Sequence, residues 1–190
     1  MTQEKHIWKP GNMLYPLPVV MVSCGNSEKH NIITIAWTGT LCTNPPMVYI
    51  SVRPERYSYA MIKEQMAFTI NLVDKQLVLA ADFCGVRSGK DIDKFKSMKL
   101  TPAAGVDIAC PYIAESPLSM ECKVTQIIEF GSHHMFMAEV LNTIADERFF
   151  NKRTSKFEIE RAGLVNYNHG GYFEHGDLLG TFGYSVKKKA

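Results

Sequence analysis

Apolar and polar side chains alternate along several short stretches of this chain, a period of two that is typical of half-buried β-strands. The longest stretch runs from Ser119 to Phe130 (SMECKVTQIIEF), and we expect a half-buried antiparallel strand there. The next, His133 to Ile144, is nearly all apolar after its start, which predicts a central strand. Shorter runs predict strands at Pro16 to Cys24 and at Ala67 to Leu72. The pattern therefore predicts a mainly β protein.

The stretch from Asn31 to Ser58 predicts two more strands, joined by a loop that contains two prolines. In the first, Asn31 to Thr38, the alternation separates two faces. One face carries the larger side chains of Ile33, Ile35 and Trp37, and the other carries Thr34, Ala36 and Thr38. Small side chains on one face predict a shallow depression on the sheet.

The second of these strands, Met47 to Arg53, places Ser51 and Arg53 on the face opposite its apolar residues. Pro54 ends the strand, and a helix is predicted to begin near Arg56, Tyr57 and Ser58. An arginine and hydroxyl groups beside a helix N-terminus indicate an anion site. An exposed ion pair beside an ordinary helix start remains the alternative.

A further helix is predicted after Asp74, because Leu77, Ala80, Ala81 and Cys84 follow at helical spacing. No internal repeat or low-complexity linker divides residues 1–190, so we expect a single domain. Many strands with a few helices between them favour an antiparallel β-barrel with flanking helices.

The charge balance of 21 Lys and Arg against 19 Asp and Glu leaves a formal net charge of +2, which does not indicate a nucleic-acid-binding protein. The cluster Lys187 to Lys189 is interpreted as a solvated end. No stretch resembles a signal peptide or approaches the roughly 20 apolar residues of a membrane span, so we expect no membrane association.

The five cysteines are widely spaced and form no CxxC pair, which predicts free thiols in a reducing cytoplasm. Neither paired cysteines nor an HExxH motif indicates a metal site. The segment Gly85 to Lys90 lacks the spacing of a phosphate-binding P-loop, and Asp91 stands where Ser or Thr should follow the lysine. Lys90 is left as either an anion ligand or a surface lysine.

Four segments together resemble the flavin reductase-like FMN-binding proteins, most closely the flavoredoxin branch. They are NIITIAWTGTLCTNPPMVYISVRPERYSY, NLVD, DFCGVRSGKDIDKF and GSHHMFMAEV, and the resemblance extends from about Pro16 to Ser185. It implies an FMN-binding split barrel, a homodimer, and FMN bound near the subunit interface.

The resemblance also implies a set of cofactor-binding residues. Those bordering the flavin ring would be Asn31, Thr34, Ala36, Trp37 and Thr38, and those at the ribityl and phosphate end Ser51, Arg53, Tyr57 and Ser58, with Lys90 as a further phosphate ligand. Cys42 falls in a loop that approaches the flavin in some relatives. His133 matches a histidine often found near the nicotinamide side, although a second histidine follows it here. No catalytic side chain is expected beyond this one candidate.

Two functions are compatible with the resemblance. One is an FMN-dependent oxidoreductase that takes hydride from NADH or NADPH, since the flavin itself supplies the redox chemistry. The alternative is a flavoredoxin-type electron carrier that serves a redox protein partner without using pyridine nucleotide. A barrel that has lost FMN is a third interpretation. The glycine-rich segment Gly170 to Gly183 is expected to be a lid, a wrap around a partner subunit, or a packed loop.

Overall fold

A computed structural model describes residues 3–186, so the cluster Lys187 to Lys189 lies outside the described residues. The strands are β1 (Leu17–Pro18), β2 (Val20–Gly25), β3 (His30–Ile35), β4 (Thr38–Cys42), β5 (Met47–Val52), β6 (Ala67–Leu72), β7 (Pro102–Ala103), β8 (Tyr112–Ile113), β9 (Leu118–Glu129), β10 (His134–Ala145), β11 (Phe150–Asn151), β12 (Lys156–Phe157), β13 (Val165–Asn168) and β14 (Gly171–Glu174). The α-helices are α1 (Tyr57–Gln65), α2 (Val78–Val86) and α3 (Lys94–Met98), and 3₁₀ turns occupy Glu147–Phe149, Ile159–Ala162 and Tyr184–Val186.

Seven strands form one antiparallel sheet in the order β3-β2-β6-β9-β10-β5-β4. The two twelve-residue strands β9 and β10 lie in its middle, where the sequence pattern placed them. The predicted mainly β fold, a barrel-like sheet with flanking helices, is therefore confirmed. The sheet curls into a half-barrel, and a separate three-stranded sheet, β1-β13-β14, lies beside it.

Apolar side chains pack on both faces of the curled sheet. On one face, a cluster around Val22, Ile50 and Phe136 includes the buried face of α1. On the other face, Ile32 and Ala81 belong to a second cluster, which includes residues of α2 and α3. Because β2 separates the two clusters, all six of its residues are buried. The face predicted for the helix after Asp74, namely Leu77, Ala80, Ala81 and Cys84, is buried as expected.

The strand predicted from Asn31 to Thr38 is instead two strands. The chain bends at Ala36 and Trp37, and Thr38 begins β4, which pairs with β5 at the opposite edge of the sheet. Since β3 and β4 are the two edge strands, the residues between them must carry the chain from one edge to the other. The Ser51 N–H donates to the Trp37 carbonyl oxygen at 2.8 Å and fixes this crossing. The side-chain alternation that grouped Thr38 with Thr34 therefore stops at the bend.

Candidate functional site

A cleft of about 910 Å³ lies where the edge strand β3 approaches the end of β5. Helix α2 and the turn between β9 and β10 form two further walls, and residues of β13 and β14 form the end of the cleft. Lining side chains used below are Thr34, Trp37, Arg53, Asp82, His133 and Tyr172.

The free edge of β3 offers backbone groups to this cleft. The Ile32 carbonyl oxygen accepts from Lys94 Nζ at 2.7 Å and therefore points away from β2. Backbone groups alternate in direction along a strand, so the N–H and C=O of Thr34 point to the same free edge. This edge can donate to and accept from a planar heterocycle laid along it.

Helix α2 packs directly against β3 at the cleft. Thr34 Oγ1 donates to the Ala81 carbonyl oxygen at 2.5 Å, so this hydroxyl is already used within the fold. A Cβ at Gly85 would lie 3.3 Å from the Thr34 Cβ, closer than most such contacts. A small residue at position 85 keeps the helix close to the strand.

Trp37 and His133 form one side of the cleft as a pair of parallel rings. Their centroids are 6.1 Å apart and their planes differ by 5°. Burial lowers the pKa of His133, and the nearby Arg53 charge lowers it further, so the imidazole is neutral at pH 7. The following residue, His134, points away from the cleft, and its Nδ1 lies 2.8 Å from the Tyr59 hydroxyl. Two consecutive strand-end histidines therefore have different surroundings.

A second cavity of about 260 Å³ adjoins the cleft, and both are lined by Ile33, Arg56 and Gly85. It lies at the N-terminus of α1, where Arg56 is the capping residue and provides no side-chain cap. The first-turn N–H groups of a helix lack intrahelical partners and favour an anion. The cavity therefore has one feature of an anion site before any charged side chain is considered.

Lys94 supplies the second feature of this cavity. The residue is 4% exposed and lines the cavity, and its Nζ donates to the carbonyl oxygens of Ile32 and Cys84, both at 2.7 Å. Among residues 3–186 no carboxylate forms an ion pair with it. Burial lowers its pKa, and the Arg56 charge acts in the same direction. A buried ammonium without a counter-charge is costly, and an anion in the cavity would offset that cost.

Two arginines strengthen the positive charge of the second cavity, whose one other charged lining residue, Glu55, is ion-paired to Arg53 at 3.3 Å. Arg56 and Arg87 both line it, and within the described chain neither is ion-paired to a carboxylate. Guanidinium groups bind phosphate through paired N–H donors. We call the group Arg56, Arg87 and Lys94 the cation pocket.

The loop after α2 closes over the cation pocket by contacting β3. Asn31 Nδ2 donates to Ser58 Oγ at 2.8 Å, and both residues are buried. A Cβ at Gly89 would lie 2.1 Å from Asn31 Oδ1, so only glycine fits there without movement. The pocket is thus built by β3, α1 and the 87–89 loop together.

The structure brings together most of the residues implied by the resemblance. The cleft is lined by Thr34, Ala36, Trp37, Ser51, Arg53 and His133, and the second cavity by Asn31, Tyr57 and Ser58. Three others lie outside both linings. Thr38 Oγ1 donates to the Tyr49 carbonyl oxygen at 2.6 Å, Cys42 Sγ lies 3.4 Å from the Asn44 carbonyl oxygen, and Lys90 is exposed on its loop.

The cation pocket was not identified from the sequence. Lys94 follows Asp93, whose side chain accepts from the Lys96 N–H and caps α3, and precedes the buried Phe95. The sequence feature that could have indicated a buried lysine is its position in the first turn of a short helix, next to a core phenylalanine. Arg56 was used only to mark the start of α1, and Arg87 only as part of a glycine-containing segment.

Residues 3–186 contain neither a candidate membrane-spanning helix nor a candidate metal site. No helix in that part of the chain is both long and apolar enough to cross a membrane. No group of three or more His, Cys, Asp or Glu side chains there is arranged to hold a metal ion.

Comparison with known proteins agrees with this geometry. Residues 12–174 match the model of the flavin reductase like domain. The flavoredoxin of Desulfovibrio vulgaris (Miyazaki F) has a TM-score of 0.89 and 30% identity, over 97% of this chain and 100% of that one.

Two sequence relatives are informative. An uncharacterized protein of Aeropyrum pernix is 30% identical over 128 residues, which are 67% of this chain but 49% of that protein, so the chain spans about half its length. An NADH-dependent FAD reductase of Streptomyces globisporus is 23% identical over 67% of this chain and 69% of its own. The chain belongs to the flavin reductase-like domain family, in its flavoredoxin branch, and is a flavin-binding oxidoreductase with a split-barrel fold.

Proposed function

We propose that this protein is an FMN-dependent oxidoreductase whose cofactor lies across the cleft and the cation pocket. The observation behind this proposal is that the two cavities share the lining residues Ile33, Arg56 and Gly85 and therefore lie side by side. A planar ring can lie along the β3 edge while a phosphate tail enters the cation pocket. The residues present fit FMN, because Lys94 is a buried cation that lacks a counter-charge among the described residues.

The phosphate would be held by Lys94, Arg56, Arg87 and the first-turn N–H groups of α1. Ser58 and Asn31 would fix the strand and helix that carry these donors. The ring would border the β3 edge from Thr34 to Trp37. FMN is preferred over FAD because the 260 Å³ cavity suits a single terminal phosphate better than a pyrophosphate that continues to an adenosine.

When bound, the flavin supplies the redox chemistry by accepting two electrons, as a hydride, from a donor and passing them to an acceptor. The chain's own groups bind and orient it. Backbone N–H groups on the β3 edge would stabilise negative charge on the bound ring. Neutral His133, stacked on Trp37, bounds the cleft without adding positive charge. No side chain is required to transfer a proton.

The proposed electron donor is NADH or NADPH, supported by the NADH-dependent relative from Streptomyces globisporus. An electron carrier serving a redox protein partner is the second candidate, supported by the similarity to a flavoredoxin. Anaerobic mixing of the flavin-loaded protein with each nucleotide separates them. Rapid loss of the visible flavin absorbance supports the reductase. Unchanged absorbance, followed by reduction with a reduced ferredoxin, supports the carrier.

A homodimer is proposed because both ends of the described chain expose large apolar side chains. Ile7 is 94% exposed, Leu179 93% and Phe182 107%, far more than a folded chain usually leaves in water. A second copy could cover them, and the segment around Gly170 to Gly183 would then wrap the neighbouring subunit. Sedimentation of the flavin-loaded protein should give the mass of a dimer, and Leu179→Glu with Phe182→Glu should shift it toward monomer. A monomeric wild type with full flavin content would exclude this assembly.

A cytoplasmic location and a single domain over residues 1–190 complete the proposal. All five cysteines are free, and four of them are buried, which suits a reducing compartment.

Limited proteolysis of the flavin-loaded protein tests the single domain. One resistant core is expected, and two separable fragments would exclude it.

A further inference from the structure

Asp82 and Tyr172 meet on the wall of the cleft. The Tyr172 hydroxyl donates to Asp82 Oδ1 at 3.1 Å and joins α2 to β14. Both residues line the cleft, and the Asp82 side chain is exposed to it. Among the described residues no hydrogen bond or ion pair occupies the second carboxylate oxygen, so it remains an acceptor facing the cleft.

The pair lies away from the cation pocket. A helix rises about 1.5 Å per residue, so Asp82 lies about one turn, or roughly 6 Å, before Val86, the last residue of α2, and Arg87 follows beyond the helix end. Asp82 and Val86 share the face of α2 that lines the cleft, whereas Ala81 and Cys84 face the core. The cleft therefore has cations at one end and a carboxylate, held by Tyr172 and backed by Tyr167, toward the other.

Tyr172 is a permanent donor in this pair. Burial raises its pKa to about 12, and the hydrogen bond and charge of Asp82 add to the shift. The hydroxyl thus stays protonated at any physiological pH and holds Asp82 in place. The groups that face it are Asp82 on α2 and Tyr167 on β13.

The charge of Asp82 restricts what it can bind. The phosphate of FMN is an anion that the proposed function assigns to the cation pocket, so a carboxylate at the other end would not bind it. A carboxylate accepts hydrogen bonds from ribose hydroxyls and carboxamide N–H groups, and it repels a phosphate. NADH offers hydroxyls on both riboses, whereas NADPH replaces one of them with a phosphate that carries about two negative charges.

We propose that Asp82, positioned by Tyr172, accepts a hydrogen bond from the nicotinamide nucleotide and makes the cleft select NADH over NADPH. This inference rests on the proposed function, since it assumes a nicotinamide donor. Asp82 is then the specificity-determining residue, and Tyr172 is a positioning residue that acts through it.

The test measures binding of both nucleotides to the flavin-loaded protein by anaerobic difference spectroscopy with non-reducing NADH and NADPH analogues, alongside reduction rates. Wild type should bind the NADH analogue more tightly. Asp82→Asn should narrow the affinity ratio by about tenfold or more, since a hydrogen bond to a charged group is worth about that much. Tyr172→Phe should narrow this affinity ratio less than Asp82→Asn does, because the carboxylate remains. Glu174→Gln removes a carboxylate from β14 outside the cleft and should leave the ratio unchanged.

A wild type that binds both analogues equally, or binds the NADPH analogue more tightly, overturns this inference alone. An unchanged ratio in Asp82→Asn, with normal flavin content, overturns this inference alone. Loss of flavin affinity in Asp82→Asn also overturns it, because Asp82 would then contact the cofactor. A wild type that binds flavin but neither analogue overturns both this inference and the nicotinamide donor. A wild type without flavin affinity overturns the proposed function and this inference with it.

Discussion

Asn31 and Ser58 are joined by a hydrogen bond from the Asn31 amide nitrogen to the Ser58 hydroxyl oxygen, 2.8 Å long and fully inside the protein. This contact ties the edge strand β3 to the first turn of α1. The two elements supply the backbone edge of the cleft and the helix N-terminus of the cation pocket. One buried polar pair therefore sets the relative position of the two parts of the proposed flavin site.

Replacing Ser58 with Ala should weaken both the fold and flavin binding. The buried Asn31 amide would lose its partner, at a cost of about 1–3 kcal/mol in the free energy of unfolding. The FMN dissociation constant should rise as the helix N-terminus shifts. Urea unfolding and FMN titration measure the two effects, and Ser27→Ala, on an exposed turn, is the control. A Ser58 variant as stable as that control would exclude the proposed coupling.

Gly89→Ala should displace the loop that closes the cation pocket. The new Cβ would overlap the Asn31 side chain, 2.1 Å from Oδ1, so either the loop or the asparagine must move. We expect weaker FMN binding and a loss of stability of about 1–3 kcal/mol, typical of overpacking. Gly11→Ala is the control, because Gly11 is exposed outside both cavities and a Cβ there would meet only Met13, at an ordinary 3.9 Å. Equal behaviour of the two variants would contradict the close contact.

The strands were predictable because alternation reports burial directly. For β9 the prediction of Ser119 to Phe130 differs from the observed Leu118–Glu129 by one residue at each end. The bend at Ala36 and Trp37 was not predictable in this way, because it depends on β3 and β4 being opposite edges of the sheet. That relation is set by pairings between residues far apart in sequence.

Lys94→Met should reduce FMN affinity by about tenfold or more, since a charge-assisted hydrogen bond contributes about 1.5–3 kcal/mol. Riboflavin affinity should change little, because riboflavin has no phosphate. Lys96→Met, on the exposed side of the same helix, is the control. Isothermal titration of the flavin-free proteins provides both affinities. An equal effect on FMN and riboflavin would assign Lys94 a structural role only.

The stability of the flavin-free protein should also depend on pH through Lys94. Its pKa is lowered in the folded state, so between that value and about 10.4, its value in an unfolded chain, the folded state binds fewer protons. The free energy of unfolding should therefore rise with pH across that window, and the rise should be absent in Lys94→Met. Chemical denaturation of both proteins at several alkaline pH values measures it. If the free energy of unfolding depended on pH in the same way in both proteins, Lys94 would not be the group with the lowered pKa.

His133 should titrate below pH 6.5, mainly because it is partly buried and also because Arg53 is near. Its contribution to stability is present above pH 6.5 and is lost as the pH falls toward the lowered pKa. The imidazole resonances of His133, followed by NMR as the pH is varied, should give a titration midpoint below pH 6.5. Arg53→Gln should raise that midpoint. Arg153→Gln, an exposed arginine elsewhere, should not. A midpoint at or above 6.5 in wild type would contradict the described surroundings.

Site residues were harder to predict from the sequence than strands. Lys90 and Lys94 are four positions apart in a charged segment, yet Lys90 is exposed and Lys94 is 4% exposed. Local sequence does not distinguish them, because the burial of Lys94 depends on the Ile32 carbonyl oxygen, 62 positions away. The two strands predicted at Asn31 to Thr38 and Met47 to Arg53 did contribute to the candidate site, since Thr34, Trp37 and Arg53 all line the cleft.

The central claim is that the cation pocket holds the phosphate of FMN, and comparing FMN with riboflavin tests it most directly. Both ligands are titrated into the flavin-free protein, and quenching of flavin fluorescence is followed. The account predicts that FMN binds at least about 100-fold more tightly, because two or more charge-assisted hydrogen bonds would depend on the phosphate. Equal affinities for FMN and riboflavin would contradict it.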